Sequence, residues 1–187
     1  RKLGLTSSNA EMDELLRSDF ERAFNSLYGQ QASAALLTQY RMAPAIGDLV
    51  SHTFYNGKLK NGNRVIPEIY KNGPQVVQAT TTWLDTSGLG QKSYHSSDRG
   101  ASIYNRCEAD QIISILKQIS DCSDFVAELS DLVTKDEAAI GVICMYAEQK
   151  RLIRQKFNQE VWADGFKELV KIDTVDSYQG KENRVII

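Results

Sequence analysis

An almost unbroken apolar run, AAIGVICM at residues 138–145, most constrains the fold of this chain of 187 residues. A strand that is covered on both faces has such a run, whereas a strand with one solvent face alternates apolar and polar residues. A helix over about 146–158 and strands near 169–173 and 183–187 are expected after it. The pattern therefore predicts an α/β domain with a mainly parallel sheet and right-handed crossovers.

Apolar periodicity and turn residues predict the remaining elements. Helical spacing predicts four further helices, at 9–28, from Pro44 onward, at 105–119 and at 124–134. Apolar or β-branched runs predict strands at 33–37 and 80–85. A long Gly- and Ser-rich loop should follow to about residue 102. Asn105 and Glu108 have the spacing of a helix-capping box. We expect one domain, with residues 1–32 as a lead-in helix and 33–187 as its core.

Composition narrows the possible function classes. Hydrophobic residues make up 42% and charged residues 25%, which is ordinary for a globular protein, and no apolar run approaches the ~18 residues of a membrane span. A net charge of −2 weighs against nucleic-acid binding, although a local basic strip can lie on an acidic domain. Three scattered cysteines without CxxC spacing predict a reducing, cytoplasmic setting. His52 and His95 lack partners at metal-ligand spacing, so we expect surface residues and no metal site.

The first chemically distinctive stretch is Gln39-Tyr40-Arg41, which follows the strand expected at 33–37. An arginine offers a planar fork of donors that suits phosphate oxygens, and a tyrosine ring can stack on a base. The alternative is a partly buried tyrosine beside a surface arginine. On these residues alone both interpretations stay open.

The second stretch, TVDSYQGKENRVII at 174–187, places a polar loop between two apolar strands. Gly180 permits a tight turn or a close approach of the backbone to a ligand. The hydroxyl and amide groups before it suit phosphates or sugars, and Glu182 can accept hydrogen bonds from ribose hydroxyls. A polar loop with a glycine turn explains the same residues without a ligand.

The third stretch, MYAEQKRLIRQKF at 145–157, carries four basic residues after the central strand. They are Lys150, Arg151, Arg154 and Lys156. Such a cluster can track a phosphate backbone. The alternative is a solvated helix face.

In this order, the blocks QYRMAPAIGDLVSHTFYNGKL, YNRCEA, IGVICMYAEQ and TVDSYQGKENRVII resemble the second RecA-like domain of superfamily 1 helicases of the Upf-like branch. That family typically shows QYRMHP, N-x-x-EA, IGVITPYxxQ and a V-D-S/A-F/Y-Q-G-x-E motif. The resemblance covers roughly residues 35–187. It implies a RecA-like, three-layer α/β/α domain of the P-loop NTPase type and a motor that acts on single-stranded DNA or RNA.

The resemblance also implies roles for nucleotide-binding residues. Arg41 matches the family's arginine finger, which neutralises charge on the transferring phosphoryl group of ATP and is worth roughly 10³–10⁵ in rate where measured in GTPases. Tyr40 matches the residue that stacks on adenine. Glu182 matches the ribose contact, and Gln179 and Gly180 lie where the motif couples nucleotide to strand. In the family ATP and Mg²⁺ are bound mainly by the preceding RecA-like domain, the expected partner within the same polypeptide.

The resemblance implies contacts with the nucleic-acid strand less specifically. The residues concerned are Tyr146, Gln149, Lys150, Thr174, Asp176 and Ser177. The sequence departs from the family pattern at two places. Ala43 replaces the histidine of QYRMHP, which removes one possible polar contact but leaves Tyr40 and Arg41 in place, and Cys144-Met145 replaces the Thr-Pro pair that helps hold the nucleic-acid backbone. The second departure puts strand binding through that loop in question.

Several motifs of a complete motor do not occur in the sequence. It contains no G-x-x-x-x-G-K-[ST] phosphate loop and no acidic metal-binding box, and it stops at Ile187, before the family's last arginine-bearing motif. We therefore expect the second motor domain of an ATP-dependent helicase, inactive by itself. The alternative is a degenerate helicase-like module that binds nucleic acid or protein without catalysis. As the nucleotide-binding residues Tyr40, Arg41, Gln179, Gly180 and Glu182 each follow an expected strand, they should share one edge of the sheet, at the carboxyl ends of the strands.

Overall fold

The computed structural model describes residues 17–97, 102–134 and 137–187. Its helices are α1 (Asp19–Asn25), α2 (Leu27–Ala32), α3 (Pro44–Phe54), α4 (Gln75–Gln78), α5 (Arg106–Ser120), α6 (Ser123–Asp131) and α7 (Ala147–Gln159). Its strands are β1 (Thr38–Gln39), β2 (Lys60–Asn61), β3 (Ile140–Cys144), β4 (Val170–Thr174) and β5 (Val185–Ile186). Short 3₁₀ helices span Glu68–Asn72, Ser87–Ser93, Val161–Ala163, Lys167–Leu169 and Val175–Tyr178.

Strand β3 is the centre of a parallel sheet with the order β4-β3-β5. Ile140 of β3 pairs with Val170 of β4 on one side and with Val185 of β5 on the other. Four of the five β3 residues are buried, as expected of a strand covered on both faces. A second, two-stranded parallel sheet pairs β1 with β2. The predicted α/β class and its parallel sheet, consistent with a RecA-like fold, are confirmed.

The hydrophobic core lies in the carboxyl-terminal part of the chain, where α5, α6 and α7 pack with β3 and β4. The largest fully buried side chains are Phe125, Leu116, Ile119, Leu129, Ile140, Ile153 and Val142. Helix α5 begins as predicted, because the side chain of Asn105 accepts a hydrogen bond from the N–H of Glu108 at 3.1 Å. No helix in the described ranges is long and apolar enough to cross a membrane.

Two predicted strands do not form where expected. Strand β1 begins only at Thr38, and Leu36, inside the expected 33–37 strand, is 92% exposed. The segment 80–85 is irregular, and its Trp83 is 89% exposed. A β-branched or apolar run adopts a strand only where a neighbouring strand and a face to pack on are available.

The predicted lead-in helix is interrupted. Residues 9–16 lie outside the described part of the chain, and the rest divides at Ser26 into α1 and α2. The Ser26 side chain accepts a hydrogen bond from the N–H of Gly29 at 3.0 Å and donates to the carbonyl of Ala23 at 2.7 Å. This serine therefore ends one helix and caps the next.

Candidate functional site

The loop between β1 and α3 is built around the side chain of Gln39. Its Oε1 accepts hydrogen bonds from the N–H groups of Arg41 and Met42, at 2.9 and 2.7 Å. Its Nε2 donates to the carbonyl of Met42 at 3.1 Å and to Oδ1 of Asn61 at 2.7 Å. One half-buried amide thus satisfies three main-chain groups of the loop and joins it to β2.

Asn61 and Gly47 connect this loop to α3. Asn61 Nδ2 donates to the carbonyl of Pro44 at 3.1 Å and to a carboxylate oxygen of Asp48 at 2.7 Å. Pro44 is at the start of α3, as predicted, where its missing N–H costs no helical hydrogen bond. Gly47 is buried at the contact: a Cβ there would lie 2.0 Å from Asn61 Oδ1 and 2.6 Å from Gln39 Nε2. The close approach of helix and loop therefore requires a residue without a side chain.

Tyr40 presents its ring at the surface. Gly62 lies directly against it, since a Cβ at Gly62 would be 2.2 Å from Tyr40 Cε1. The residue is nevertheless 68% exposed. The ring is supported where it meets Gly62 and has exposed surface for a planar ligand such as a base.

Arg41 and Glu182, which belong to the first and the last of the four matching sequence blocks, are in contact. Arg41 Nε is 3.2 Å from Glu182 Oε1, and Arg41 Nη2 donates to the carbonyl of Lys181 at 2.5 Å. Both side chains are more than half exposed, at 52% and 58%. An exposed pair of this kind contributes roughly 0–1 kcal/mol to stability, so the guanidinium can exchange partners at low cost.

Glu182 does not lie at the carboxyl edge of the sheet, which corrects that part of the expectation. The residues after it flank the start of β3: the N–H of Arg184 donates to the carbonyl of Ala139 at 2.9 Å, and Asn183 Nδ2 donates to that of Ala138 at 2.6 Å. The reason is topological. Strand β5 is parallel to β3, so the connection that leaves the carboxyl end of β4 must return to the amino edge before β5 begins.

Gln179 and Gly180 lie in that returning connection, and both are exposed. Gly180 has φ of 81°, a left-handed conformation that glycine adopts without a steric penalty. Just before them, the buried Tyr178 donates its hydroxyl to the carbonyl of Lys171 at 2.6 Å. Burial raises the pKa of Tyr178 to about 12, so this phenol remains a neutral donor that fixes the start of the connection.

A separate group of residues, those expected to contact the nucleic-acid strand, lies at the carboxyl ends of β3 and β4. Thr174 ends β4, and its hydroxyl is 3.2 Å from the hydroxyl of Ser177. Asp176 and Ser177 are exposed, and Tyr146, which follows β3, is 46% exposed. The candidate residues thus form two groups, one at each end of the connection from β4 to β5.

The Cys144-Met145 departure divides between the interior and the surface. Cys144 is buried, and burial raises the pKa of its thiol to about 11. Met145 is 72% exposed beside Tyr146. Of the two residues, only Met145 therefore offers exposed surface at this edge.

The side chain of Gln149 stabilises the fold, contrary to the expectation that it contacts the nucleic-acid strand. The residue is buried, its Oε1 accepts from the N–H of Asn105 at 2.7 Å, and its Nε2 donates to the carbonyl of Asn105 at 3.2 Å. Both polar atoms of the amide are used to join α7 to the start of α5. We therefore leave Gln149 out of the proposed ligand surface.

The basic cluster of α7 is neutralised by carboxylates. Lys150 lies 3.2 Å from Asp173, Arg154 lies 3.7 Å from the same residue, and the other two basic residues each pair with an acidic one. The N–H of Thr174 and the charge of Lys150 lower the pKa of Asp173. This pairing favours the interpretation as a solvated helix face, and the contact with Asp173 places Lys150 near the carboxyl end of β4.

Sequence reasoning missed Arg64, which lies beside the β1–α3 loop. Its Nη1 donates to the carbonyl of Tyr40 at 3.1 Å and also bonds the carbonyl of Arg41. It follows β2 within a turn-rich segment, and nothing in the spacing of that segment pointed to the loop. His52 and His95 are exposed as predicted, and within the described ranges no three His, Cys, Asp or Glu side chains are grouped to hold a metal.

Fold and motifs together define an α/β domain of the RecA-like class. Residues 15–187 match the family described as an AAA domain, and the chain belongs to that family. The match covers most of the sequence.

Similar proteins are named as helicases or as regulators of nonsense transcripts. The ATP-dependent helicase upf1 of Schizosaccharomyces pombe is 30% identical over 81% of this chain, and the chain covers 15% of it. An uncharacterized ATP-dependent helicase of Methanocaldococcus jannaschii is 26% identical over 95% of the chain, with 25% of that protein covered. A Regulator of nonsense transcripts 1 homolog of Arabidopsis thaliana is 30% identical over 81% of the chain, with 11% covered. The chain thus spans a quarter or less of each relative's length and corresponds to a superfamily 1 helicase region.

Proposed function

We propose that this chain is the second RecA-like motor domain of an ATP-dependent helicase that acts on single-stranded DNA or RNA. The observation that carries the proposal is the 3.2 Å contact between Arg41 and Glu182. It joins residues of two sequence-distant motifs in one exposed patch with an aromatic ring, Tyr40, on the same loop. A guanidinium, a carboxylate and an aromatic ring are the groups that suit phosphate, ribose and base.

In this proposal each side chain has a distinct task. Arg41 leaves Glu182 and donates to the transferring phosphoryl group of ATP, where charge develops in the transition state. Glu182 then accepts from the ribose, and Tyr40 stacks on the base. The first RecA-like domain would hold Mg²⁺, which would neutralise charge at the phosphates.

The single-stranded nucleic acid would bind at the carboxyl edge of the sheet β4-β3-β5, away from the nucleotide. Tyr146, Thr174, Asp176 and Ser177 offer an aromatic ring and hydroxyl groups there, with Lys150 beside them. Gln179 and Gly180 lie in the connection between this edge and Glu182. A change in the connection during ATP turnover would therefore reach both ligands.

The test is steady-state ATP hydrolysis by the full-length protein that contains this chain, with saturating single strand. Arg41→Ala should lower kcat at least about a hundredfold, because the finger acts mainly in the transition state. Arg41→Lys should not restore the rate, since lysine lacks the planar fork. Tyr40→Ala should mainly raise KM for ATP, because stacking is made equally in the ground state.

One control accompanies this experiment, and two outcomes would contradict the proposal. The isolated chain should hydrolyse no ATP above background, because its sequence has no phosphate loop. A near-normal kcat for folded Arg41→Ala would refute the finger assignment. Strand binding by a full-length protein that hydrolyses no ATP would favour the degenerate binding module instead.

A further inference from the structure

Arg64 makes its side-chain contacts with the main chain of the two residues proposed to touch ATP. One nitrogen of its guanidinium, Nη1, donates to the carbonyl of Tyr40 at 3.1 Å and to the carbonyl of Arg41. These are charge-assisted hydrogen bonds, which are roughly twice as strong as neutral ones. Arg64 thus holds consecutive carbonyl groups at the point where the chain presents Tyr40 and Arg41.

The pairing of β1 with β2 brings Arg64 to this position. The N–H of Lys60 donates to the carbonyl of Leu37 at 2.7 Å, and the N–H of Gly62 donates to that of Gln39 at 2.8 Å. The N–H of Arg64 then bonds the carbonyl of Gly62 at 2.9 Å, a tight turn just after β2. The turn directs the Arg64 side chain to the loop that follows β1.

The environment of Arg64 extends towards the other half of the site. Tyr70 is half-buried, and its hydroxyl donates to the carbonyl of Arg184, two residues after Glu182. Burial raises the pKa of Tyr70, and the positive charges of Arg184 and Arg64 partly oppose that rise. The charge of Arg64 thus acts on Tyr70, the residue whose hydroxyl bonds the segment after Glu182.

We propose that Arg64 is a positioning residue for Arg41, and this inference rests on the finger function proposed above. Arg41 reaches its target on a long side chain from an exposed loop, so the orientation of its peptide decides where the guanidinium can lie. Gln39 fixes the N–H groups of Arg41 and Met42, and Arg64 fixes the carbonyls of Tyr40 and Arg41. A displacement of about 1 Å in a reacting group can cost about a hundredfold in rate, so losing this clamp should slow the chemical step.

The test is a double-mutant cycle in the full-length protein that contains this chain, using Arg41→Ala, Arg64→Ala and the double variant. ATP hydrolysis is measured with saturating single strand, and thermal unfolding checks each variant. Arg64→Ala should lower kcat about ten- to a hundredfold with little change in KM for ATP. In the Arg41→Ala background the same substitution should change kcat less than about twofold, because Arg64 acts through Arg41.

Three further variants sharpen the result. Arg64→Lys retains a charged donor and should have a kcat between those of Arg64→Ala and the unaltered protein. Arg64→Met retains the aliphatic stem and replaces Arg64→Ala if the alanine variant folds poorly. Arg106→Ala is the matched control: it removes a guanidinium that is 3.4 Å from the hydroxyl of Tyr104, outside the site, and should leave kcat unchanged.

The outcomes separate this inference from the proposed function. An equal fold-loss from Arg64→Ala in both backgrounds would indicate a general structural role and overturn the inference. So would a normal kcat for Arg64→Ala when Arg41→Ala is slow, or an Arg64→Lys variant no faster than Arg64→Ala. A normal kcat for Arg41→Ala would instead overturn the proposed function, and the inference with it.

Discussion

Replacing Gly47 by alanine adds a single methyl group to α3 at the point where it meets the loop that carries Arg41. The added Cβ would lie 2.0 Å from Asn61 Oδ1 and 2.6 Å from Gln39 Nε2. These two atoms are themselves joined by a hydrogen bond of 2.7 Å. The helix, the asparagine or the glutamine must therefore move, and that hydrogen bond is the first interaction to be lost.

The expected cost follows from three contributions. Overpacking of a well-filled site costs about 1–3 kcal/mol, and loss of a hydrogen bond costs about 1 kcal/mol. Alanine in a helix regains about 1 kcal/mol relative to glycine. The net prediction for Gly47→Ala is a loss of about 1–3 kcal/mol in the free energy of unfolding. Since Gln39 also orients the N–H of Arg41, kcat for ATP hydrolysis should fall as well.

The assay is urea unfolding of the chain 1–187, monitored by circular dichroism. ATP hydrolysis is measured separately in the full-length protein that contains this chain. Gly88→Ala is the matched control, because no heavy atom beyond Gly88 and its two chain neighbours lies within 4 Å of the position where its Cβ would be. That control should be neutral, or stabilising by about 0.4–1 kcal/mol through the unfolded state. If Gly47→Ala unfolds at the same urea concentration as Gly88→Ala, the close packing of α3 on the loop is refuted.

Two further predictions test the interior around β3 and α7. Gln149→Leu should destabilise the chain by about 1–3 kcal/mol in urea unfolding, because the N–H of Asn105 loses its buried acceptor. Gln118→Leu, on the exposed face of α5, should not destabilise the chain. Equal unfolding midpoints for the two variants would contradict the role of Gln149 in joining α7 to α5. Cys144 should resist alkylation at pH 8 in the folded chain and react only after unfolding, because its thiol is buried and burial raises its pKa to about 11. Alkylation of Cys144 at a rate comparable to that of half-buried Cys107 would argue against this burial.

Sequence patterns predicted the elements that bury a continuous apolar surface. The run at 138–145 gave β3, and the apolar stripe with its asparagine cap gave α5, because both signals depend on residues close together in the chain. The strand predictions for 33–37 and 80–85 were wrong, because the β-branched or apolar character of these segments does not specify a partner strand. Trp83 shows the consequence, since it has high strand propensity and lies 89% exposed.

The candidate site was less predictable for a related reason. The contact of Arg41 with Glu182 needs two segments that are far apart in sequence, and the position of Glu182 depends on where β5 begins. The resemblance implied that Gln149 contacts nucleic acid, whereas its amide bonds the main chain of Asn105, which lies in the cap of another helix and is far away in the sequence. Arg64 gave no local signal, since its acceptors are backbone carbonyls.

The exposure of Arg41 and Glu182 itself bears on their proposed use. Separating a buried ion pair costs about 3–5 kcal/mol because each charge is left without a partner, whereas an exposed pair is worth only about 0–1 kcal/mol. A guanidinium that must move to a phosphate, and a carboxylate that must move to a ribose, therefore belong in an exposed pair. The groups beneath them have the opposite requirement: Gln39 is held by four hydrogen bonds of 2.7–3.1 Å. In the proposed function, a fixed loop that carries exchangeable side chains would allow ATP to take the place of the Arg41–Glu182 contact without unfolding its support.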